Sequence, residues 1–310
     1  METTYDLAII GGGPAGSAAG VYASRKRLKT IFITDVWGGQ SVVSPEIQNW
    51  IGTIAISGEN FAKQLKAHLE FYAGDVVDIV GNDKVKHIVK DKDNFLINTG
   101  LGKNYSAKTI LIATGASRRR LAIQGADTFE HKGLTYCASC DGPLFAGMDV
   151  VVIGGGNAGF ETAAQLLAYA KSVTLLNRSN TFKADPITSE KVLKDPKMRA
   201  IKNIAIKEIK GEAFVSGIIY TDKETGEEHE LKVQGIFVEI GLIPSTDFTE
   251  GFLELDAVKR IVVNPKNQKT SVAGIWAAGD CTDELYHQNN IAAGDAVKAI
   301  EDIYVHLKAK

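Results

Sequence analysis

No stretch of this 310-residue chain approaches the roughly 18 consecutive apolar residues of a membrane-spanning helix. Its first residues, Met1-Glu2-Thr3-Thr4-Tyr5-Asp6, lack a basic region ahead of an apolar stretch, so no export signal is read and a cytoplasmic location is expected. A dominant charge is also missing. Lys and Arg total 35 against 37 Asp and Glu, a formal net charge of -2, which provides no field for nucleic acid or an anionic membrane. Cysteine is scarce: Cys137, Cys140 and Cys281. An odd number without a leader argues against a secreted disulfide framework. The six histidines, His68, His87, His131, His229, His287 and His306, show no metal-ligand spacing. A lone Cys-x-x-Cys is at best half a zinc site, so no metal is expected. Redox chemistry is the better reading of the close pair.

Glycine is plentiful, with 31 residues, and much of it falls in two fingerprints. Leu7-Ala8-Ile9-Ile10 runs into Gly11-Gly12-Gly13-Pro14-Ala15-Gly16, a helix-compatible stretch follows to Ser24, and Lys29 to Thr34 reads as a second strand. Val150-Val151-Val152-Ile153 and Gly154-Gly155-Gly156-Asn157-Ala158-Gly159 repeat the pattern, with a helix expected to about Ala170 and a strand from Val173 to Leu176. A strand–glycine turn–helix context makes each a dinucleotide-binding signal. Gly11 permits the tight turn, Gly13 admits a pyrophosphate, Gly16 lets the helix pack on the sheet, and the helix N-terminus faces the phosphates. Gly154, Gly156 and Gly159 take the same parts.

Three further apolar runs end in glycine: Thr109 to Gly115, Gln234 to Gly241, and Gly274 to Gly279 before Asp280. A long C-terminal helix is expected from about Ile291 to Leu307. The simplest parse is α/β, with two Rossmann-like nucleotide-binding domains. The FAD-type domain comprises residues 1–116 and 246–310, and the domain 117–245 is inserted into it. Two chain crossings would then form a hinge. Arg118-Arg119-Arg120 reads as a solvated run at the first crossing, and Trp276 as core. Asp222 to Glu228 reads as a surface hairpin turn.

Between the fingerprints stands Cys137-Ala138-Ser139-Cys140-Asp141. A Cys-x-x-Cys at the start of a helical turn brings two sulfurs within bonding reach, and the helix dipole lowers a thiol pKa. When a disulfide accepts two electrons one sulfur becomes a thiolate, and Asp141 is placed to supply or take the proton.

Tyr136-Cys137-Ala138-Ser139-Cys140-Asp141-Gly142 resembles the active-site segment of the low-molecular-weight thioredoxin reductases. So do Gly38-Gly39-Gln40, Asn49-Trp50, Ala113-Thr114-Gly115, Ala278-Gly279-Asp280 and both fingerprints, so the likeness spans essentially the whole chain. It implies an FAD domain, an inserted nicotinamide domain carrying the dithiol, a homodimer, and electron flow from NAD(P)H through FAD and the disulfide to a thioredoxin-like protein. Under that resemblance Pro14, Ala15, Gly39, Gln40, Asn49, Thr114, Gly115 and Gln288 contact the flavin nucleotide, and Asp280 binds its ribityl chain. Asn157 and Ala158 belong with the nicotinamide nucleotide. Cys140 faces the flavin, Cys137 attacks the partner disulfide, Asp141 is the acid/base, and Cys281 is a small buried residue. Rotation of the inserted domain is expected, since nicotinamide and dithiol must reach one flavin.

The same segments are similar to the flavoprotein half of the alkyl hydroperoxide reductase system, notably Cys140 to Phe145, Val238 to Pro244 and Lys183-Ala184-Asp185. That relative carries a thioredoxin-like N-terminal extension. Here the chain opens on the FAD strand, and a separate carrier is expected. For the nicotinamide, an acid at the end of the second strand would select NADH and basic groups would welcome a 2′-phosphate. Asn177, Arg178 and Ser179 occupy that place, with Lys183 beyond. The pattern favours NADPH and leaves NADH open. Rival readings are an NADH-dependent reductase of a peroxiredoxin-linked carrier, a ferredoxin- or flavodoxin-fed disulfide reductase, and a nucleotide-sensing protein without turnover, against which the intact dithiol counts.

Overall fold

The computed structural model describes residues 4–44 and 46–308, with the Cys140 side chain outside the description. The chain divides into two units at residues 117/118 and 242/243. The first unit opens with β1 (Thr4–Gly12), α1 (Pro14–Arg25), β2 (Thr30–Trp37), α2 (Gly58–Ala73) and β3 (Val77–Gly81). β4 (Val85–Asp91), β5 (Asn94–Thr99), β6 (Asn104–Ile112) and β7 (Ala116–Arg118) follow.

β1 is apolar on both faces because both are covered, as in parallel sheets flanked by other layers. Leu7 and Ile9 join one buried cluster, and Ala8 and Ile10 another, as alternation along a strand requires. Proline at the first helical position starts α1 without losing a hydrogen bond. Gly20 lets α2 approach α1, since a Cβ there would stand 2.7 Å from Leu69 Cδ1. Full burial of Leu69 contributes roughly 1.5–3 kcal/mol.

The second unit holds α3 (Ala126–Phe129), β8 (Leu134–Thr135), α4 (Ala138–Asp141), β9 (Asp149–Ile153), α5 (Asn157–Leu166), β10 (Ser172–Leu176), α6 (Pro186–Leu193) and β11 (Met198–Ile201). After these come β12 (Ile204–Gly211), β13 (Val215–Asp222), β14 (Glu228–Lys232) and β15 (Gly235–Val238). Its parallel sheet has the order β11-β10-β9-β15-β8, and β12-β13-β14 form an antiparallel sheet of their own. The turn between β13 and β14 is the hairpin read in the sequence. α5 closes at Leu166, short of the expected Ala170. The Tyr169 carbonyl accepts from Gly147 N–H and Lys171 N–H donates to Met148, which draws the backbone out of the helix.

β16 (Leu242–Pro244), β17 (Ile275–Ala277) and α7 (Asn289–Lys308) return to the first unit. Its sheet runs β3-β2-β1-β6-β5-β4. β5 pairs antiparallel with the first half of β6, and β17 pairs parallel with the second half. Trp276 is fully buried and donates its indole N–H to Asp302 Oδ2 at 3.0 Å. β7 and β16, the strands that carry the two crossings, pair with each other.

Candidate functional site

In the first unit a cleft of about 270 Å³ lies at the carboxyl ends of β1 and β6. Gly11, Gly13, Pro14 and Ala15 line it, as do Gly39 and Gln40. Thr114, Gly115 and Asp280 complete the set that the sequence placed with the flavin and that this cleft gathers. Gly16 lies behind the lining. A Cβ there would meet the Gly11 carbonyl oxygen at 1.8 Å, so helix and turn touch backbone to backbone. Asn49 and Gln288 are not among the lining residues. They bond to each other, Asn49 Nδ2 donating to Gln288 Oε1 at 3.2 Å. Asn289, which the sequence did not single out, lines the cleft and accepts from Ser41 Oγ at 2.7 Å.

Residues toward a flavin nucleotide fit this cleft. Gly13 caps α1 without a side-chain hydrogen bond, which leaves first-turn N–H groups for phosphate. A Cβ on Gly115 would meet nothing within 4 Å, and one on Gly13 only Gly39 Cα at 3.9 Å. A ligand backbone therefore has room at both.

The second fingerprint repeats this geometry. Gly11 and Gly154 both have φ in the left-handed region, +118° and +131°. A Cβ would strike the Ala113 carbonyl oxygen at 2.2 Å in the first and that of Glu239 at 2.1 Å in the second. Gly159 abuts the Gly154 carbonyl oxygen as Gly16 abuts Gly11, and Gly156 faces open space. α5 likewise begins at Asn157 and Ala158 without a side-chain cap, and Asn157 Oδ1 accepts from Asp185 N–H at 2.7 Å. The arrangement accommodates a second dinucleotide.

At the strand end expected from the sequence to select the nicotinamide, Arg178 and Lys183 are exposed while Asn177 is buried. Asn177 Nδ2 donates to the carbonyls of Ser179 and Thr181, and Lys183 N–H donates to Gly155 O at 2.8 Å. The asparagine thus shapes the loop that presents the two cations.

The dithiol segment turns through α4. Cys137 is disulfide-bonded and partly buried, and its carbonyl accepts from Asp141 N–H at 3.0 Å. Asp141 is 8% exposed. Burial pushes its carboxyl above the usual range, against the hydrogen bond from Thr135 and the positive charges of His131 and Arg118. Cys281 is free and fully buried, and burial pushes its thiol up to about 11.

Sequence reasoning missed three groups here. Thr135 lies six residues before Asp141, at the end of β8, and nothing in a two-residue strand marks it. Arg118 is only half-exposed, and its charge acts on both Asp141 and Glu239. It therefore departs from the solvated run expected of the three arginines. Glu239 could have been found by laying the two halves over each other, since it matches Ala113.

The chain belongs to the pyridine nucleotide-disulphide oxidoreductase family, whose model it matches over residues 5–297. That family implies binding of flavin and nicotinamide nucleotides. The chain is 40% identical over 295 residues to an NADH dehydrogenase of Bacillus subtilis (strain 168), covering 95% of this chain and 57% of the relative. It is 38% identical over 296 residues to the F component of the alkyl hydroperoxide reductase of Escherichia coli (strain K12), with the same shares. The chain thus spans little more than half the length of these relatives. Over full length it superposes on the thioredoxin reductases of Streptococcus pyogenes MGAS5005 and Giardia duodenalis, at TM-scores of 0.91 and 0.92 with 31% and 32% identity, and covers all of each. The α/β fold with two Rossmann-like nucleotide domains is that of these structures.

Proposed function

We propose that the protein is an FAD-dependent disulfide reductase that takes electrons from NADPH and passes them through a Cys137–Cys140 dithiol to a thioredoxin-like protein. In this reading it works as a homodimer in the cytoplasm. The observation that carries the proposal is a disulfide-bonded Cys137 one helical turn from a buried carboxyl, in a unit that also holds a dinucleotide fingerprint. The full-length likeness to thioredoxin reductases supports it.

Bound at the two fingerprints, a flavin and a nicotinamide nucleotide would supply hydride transfer and a two-electron reductant for the disulfide. The chain's own residues do the rest. Uncapped first turns of α1 and α5 hold the pyrophosphates. Arg178 and Lys183 meet the 2′-phosphate. On receiving two electrons the S–S bond breaks to two thiolates, and Asp141, whose carboxyl burial biases toward the protonated form, gives the Cys140 sulfur its proton. The remaining thiolate of Cys137 attacks a partner disulfide, forms a mixed disulfide and expels the partner's thiolate. The Cys140 thiol then returns its proton to the Asp141 carboxylate and attacks Cys137, which restores the internal disulfide and releases the partner's second sulfur as a thiolate.

A second reading, an NADH-dependent reductase serving a peroxiredoxin-linked carrier, is favoured by the names of the two longer relatives. The test is anaerobic stopped-flow mixing of holoprotein with NADPH or NADH, followed by addition of a thioredoxin-like disulfide. Faster flavin bleaching by NADPH, with the disulfide reduced in turn, is the expected result. Faster bleaching by NADH would replace it with the second reading, and no bleaching by either would overturn both.

A further inference from the structure

The two fingerprints make the same backbone contacts. Ala113 N–H donates to Ile10 O at 2.8 Å, and Glu239 N–H donates to Ile153 O at 2.8 Å. Both residues present the carbonyl that the first fingerprint glycine presses against. Where the flavin half has a methyl group, the nicotinamide half has a carboxyl. Glu239 directly follows β15, the strand beside β9, while β10 flanks β9 on the other edge. The crevice at the carboxyl ends of such strands, where the sheet order reverses, is where an open α/β sheet receives a dinucleotide.

The carboxyl is held in place. Thr162 Oγ1, on the buried face of α5, donates to Glu239 Oε1 at 2.8 Å. The charged groups that act on it come from two elements: Arg118 of β7 opposes protonation and Glu161 of α5 favours it. Burial is the larger influence, and it pushes Glu239 up to about 7.

We propose that Glu239 lines the nicotinamide-nucleotide site as a specificity-tuning carboxyl, which admits the dinucleotide when protonated and weakens its binding when ionised. This rests on the reading of the second unit as the nicotinamide site. The reason is electrostatic. A dinucleotide brings two phosphate charges to the Gly154–Gly159 turn, and an ionised carboxyl on the residue whose backbone carbonyl that turn meets repels them in a poorly solvated setting. By reciprocity the bound nucleotide favours the protonated carboxyl, so binding takes up a proton near neutral pH.

Equilibrium titration calorimetry on oxidised holoprotein tests this without turnover. NAD⁺ and NADP⁺ are titrated separately at about pH 6 and pH 8.5 into the wild type, Glu239→Gln and Glu239→Ala. Glutamine keeps an acceptor for Thr162, and alanine copies Ala113 of the other half. The 2′-phosphate of NADP⁺ titrates alike in all three proteins, so the difference between wild type and variants isolates Glu239. Wild-type affinity should fall roughly fivefold more than that of either variant across this range, and only the wild type should take up a proton on binding. Equal losses in all three, or weaker binding by the variants at the higher pH, would overturn the role given to Glu239. Failure of the wild type to bind either nucleotide at both pH values would overturn the nicotinamide site itself, and this inference with it.

Discussion

Thr135 Oγ1 donates a hydrogen bond to Asp141 Oδ2, while Oδ1 of the same buried carboxyl has no partner among the described residues. One oxygen is tethered to β8, and in the proposed cycle the other is the atom at which a proton is exchanged. The tether favours the ionised form and burial the neutral one, with burial ahead.

Replacing Thr135 by valine keeps the shape and the strand but removes the donor. The Asp141 carboxyl should then ionise at higher pH than in the wild type. In the pH profile of partner-disulfide reduction, the limb set by Asp141 should move upward, and Asp141→Asn should remove that limb altogether. A Thr135→Val profile that superimposes on the wild type would show that the hydroxyl does not act through the acid.

Gly16→Ala places a methyl group within 1.8 Å of the Gly11 carbonyl oxygen. The helix must shift off the turn, at a cost on the order of 1–3 kcal/mol. Purified Gly16→Ala should carry less flavin per chain and melt at a lower temperature. Gly294→Ala is the control, since a Cβ at this exposed position of α7 meets nothing within 4 Å. It should gain up to about 1 kcal/mol from helix propensity and keep its flavin.

Arg178 and Lys183 are exposed, and neither is consumed by a salt bridge with a carboxylate among the described residues. Substituting both by alanine should raise KM for NADPH by roughly tenfold and leave KM for NADH nearly unchanged. Steady-state kinetics with each donor would read the difference, and an equal rise for both would mean that these cations do not discriminate.

The α/β class was legible because each fingerprint follows a strand with both faces apolar, so Leu7 to Ile10 and Val150 to Ile153 announce parallel strands without reference to distant residues. Glycine turns and helix starts are likewise local, encoded within a few positions. What eluded the sequence is set by packing, even where the partners lie only a few residues apart. The Thr135–Asp141 hydrogen bond depends on how β8 leads into α4. The neighbourhood of Arg118 with two carboxyls depends on where the first crossing meets the second unit's own core. Asn177 looked like a discriminating side chain at a strand end and turned out to be buried, with its amide spent on Ser179 and Thr181. Burial, which decides whether such a group faces a ligand or its own loop, is set by packing that no short motif carries.

Pairing of β7 with β16 brings the entry and exit of residues 118–242 side by side. A segment whose ends already meet can be cut out and its flanks rejoined by a short linker, because closing so small a gap costs little chain entropy. Residues 118–242 then have the character of an exchangeable cassette. A gene could acquire, lose or swap its dithiol-bearing module in a single insertion, leaving the host sheet uninterrupted.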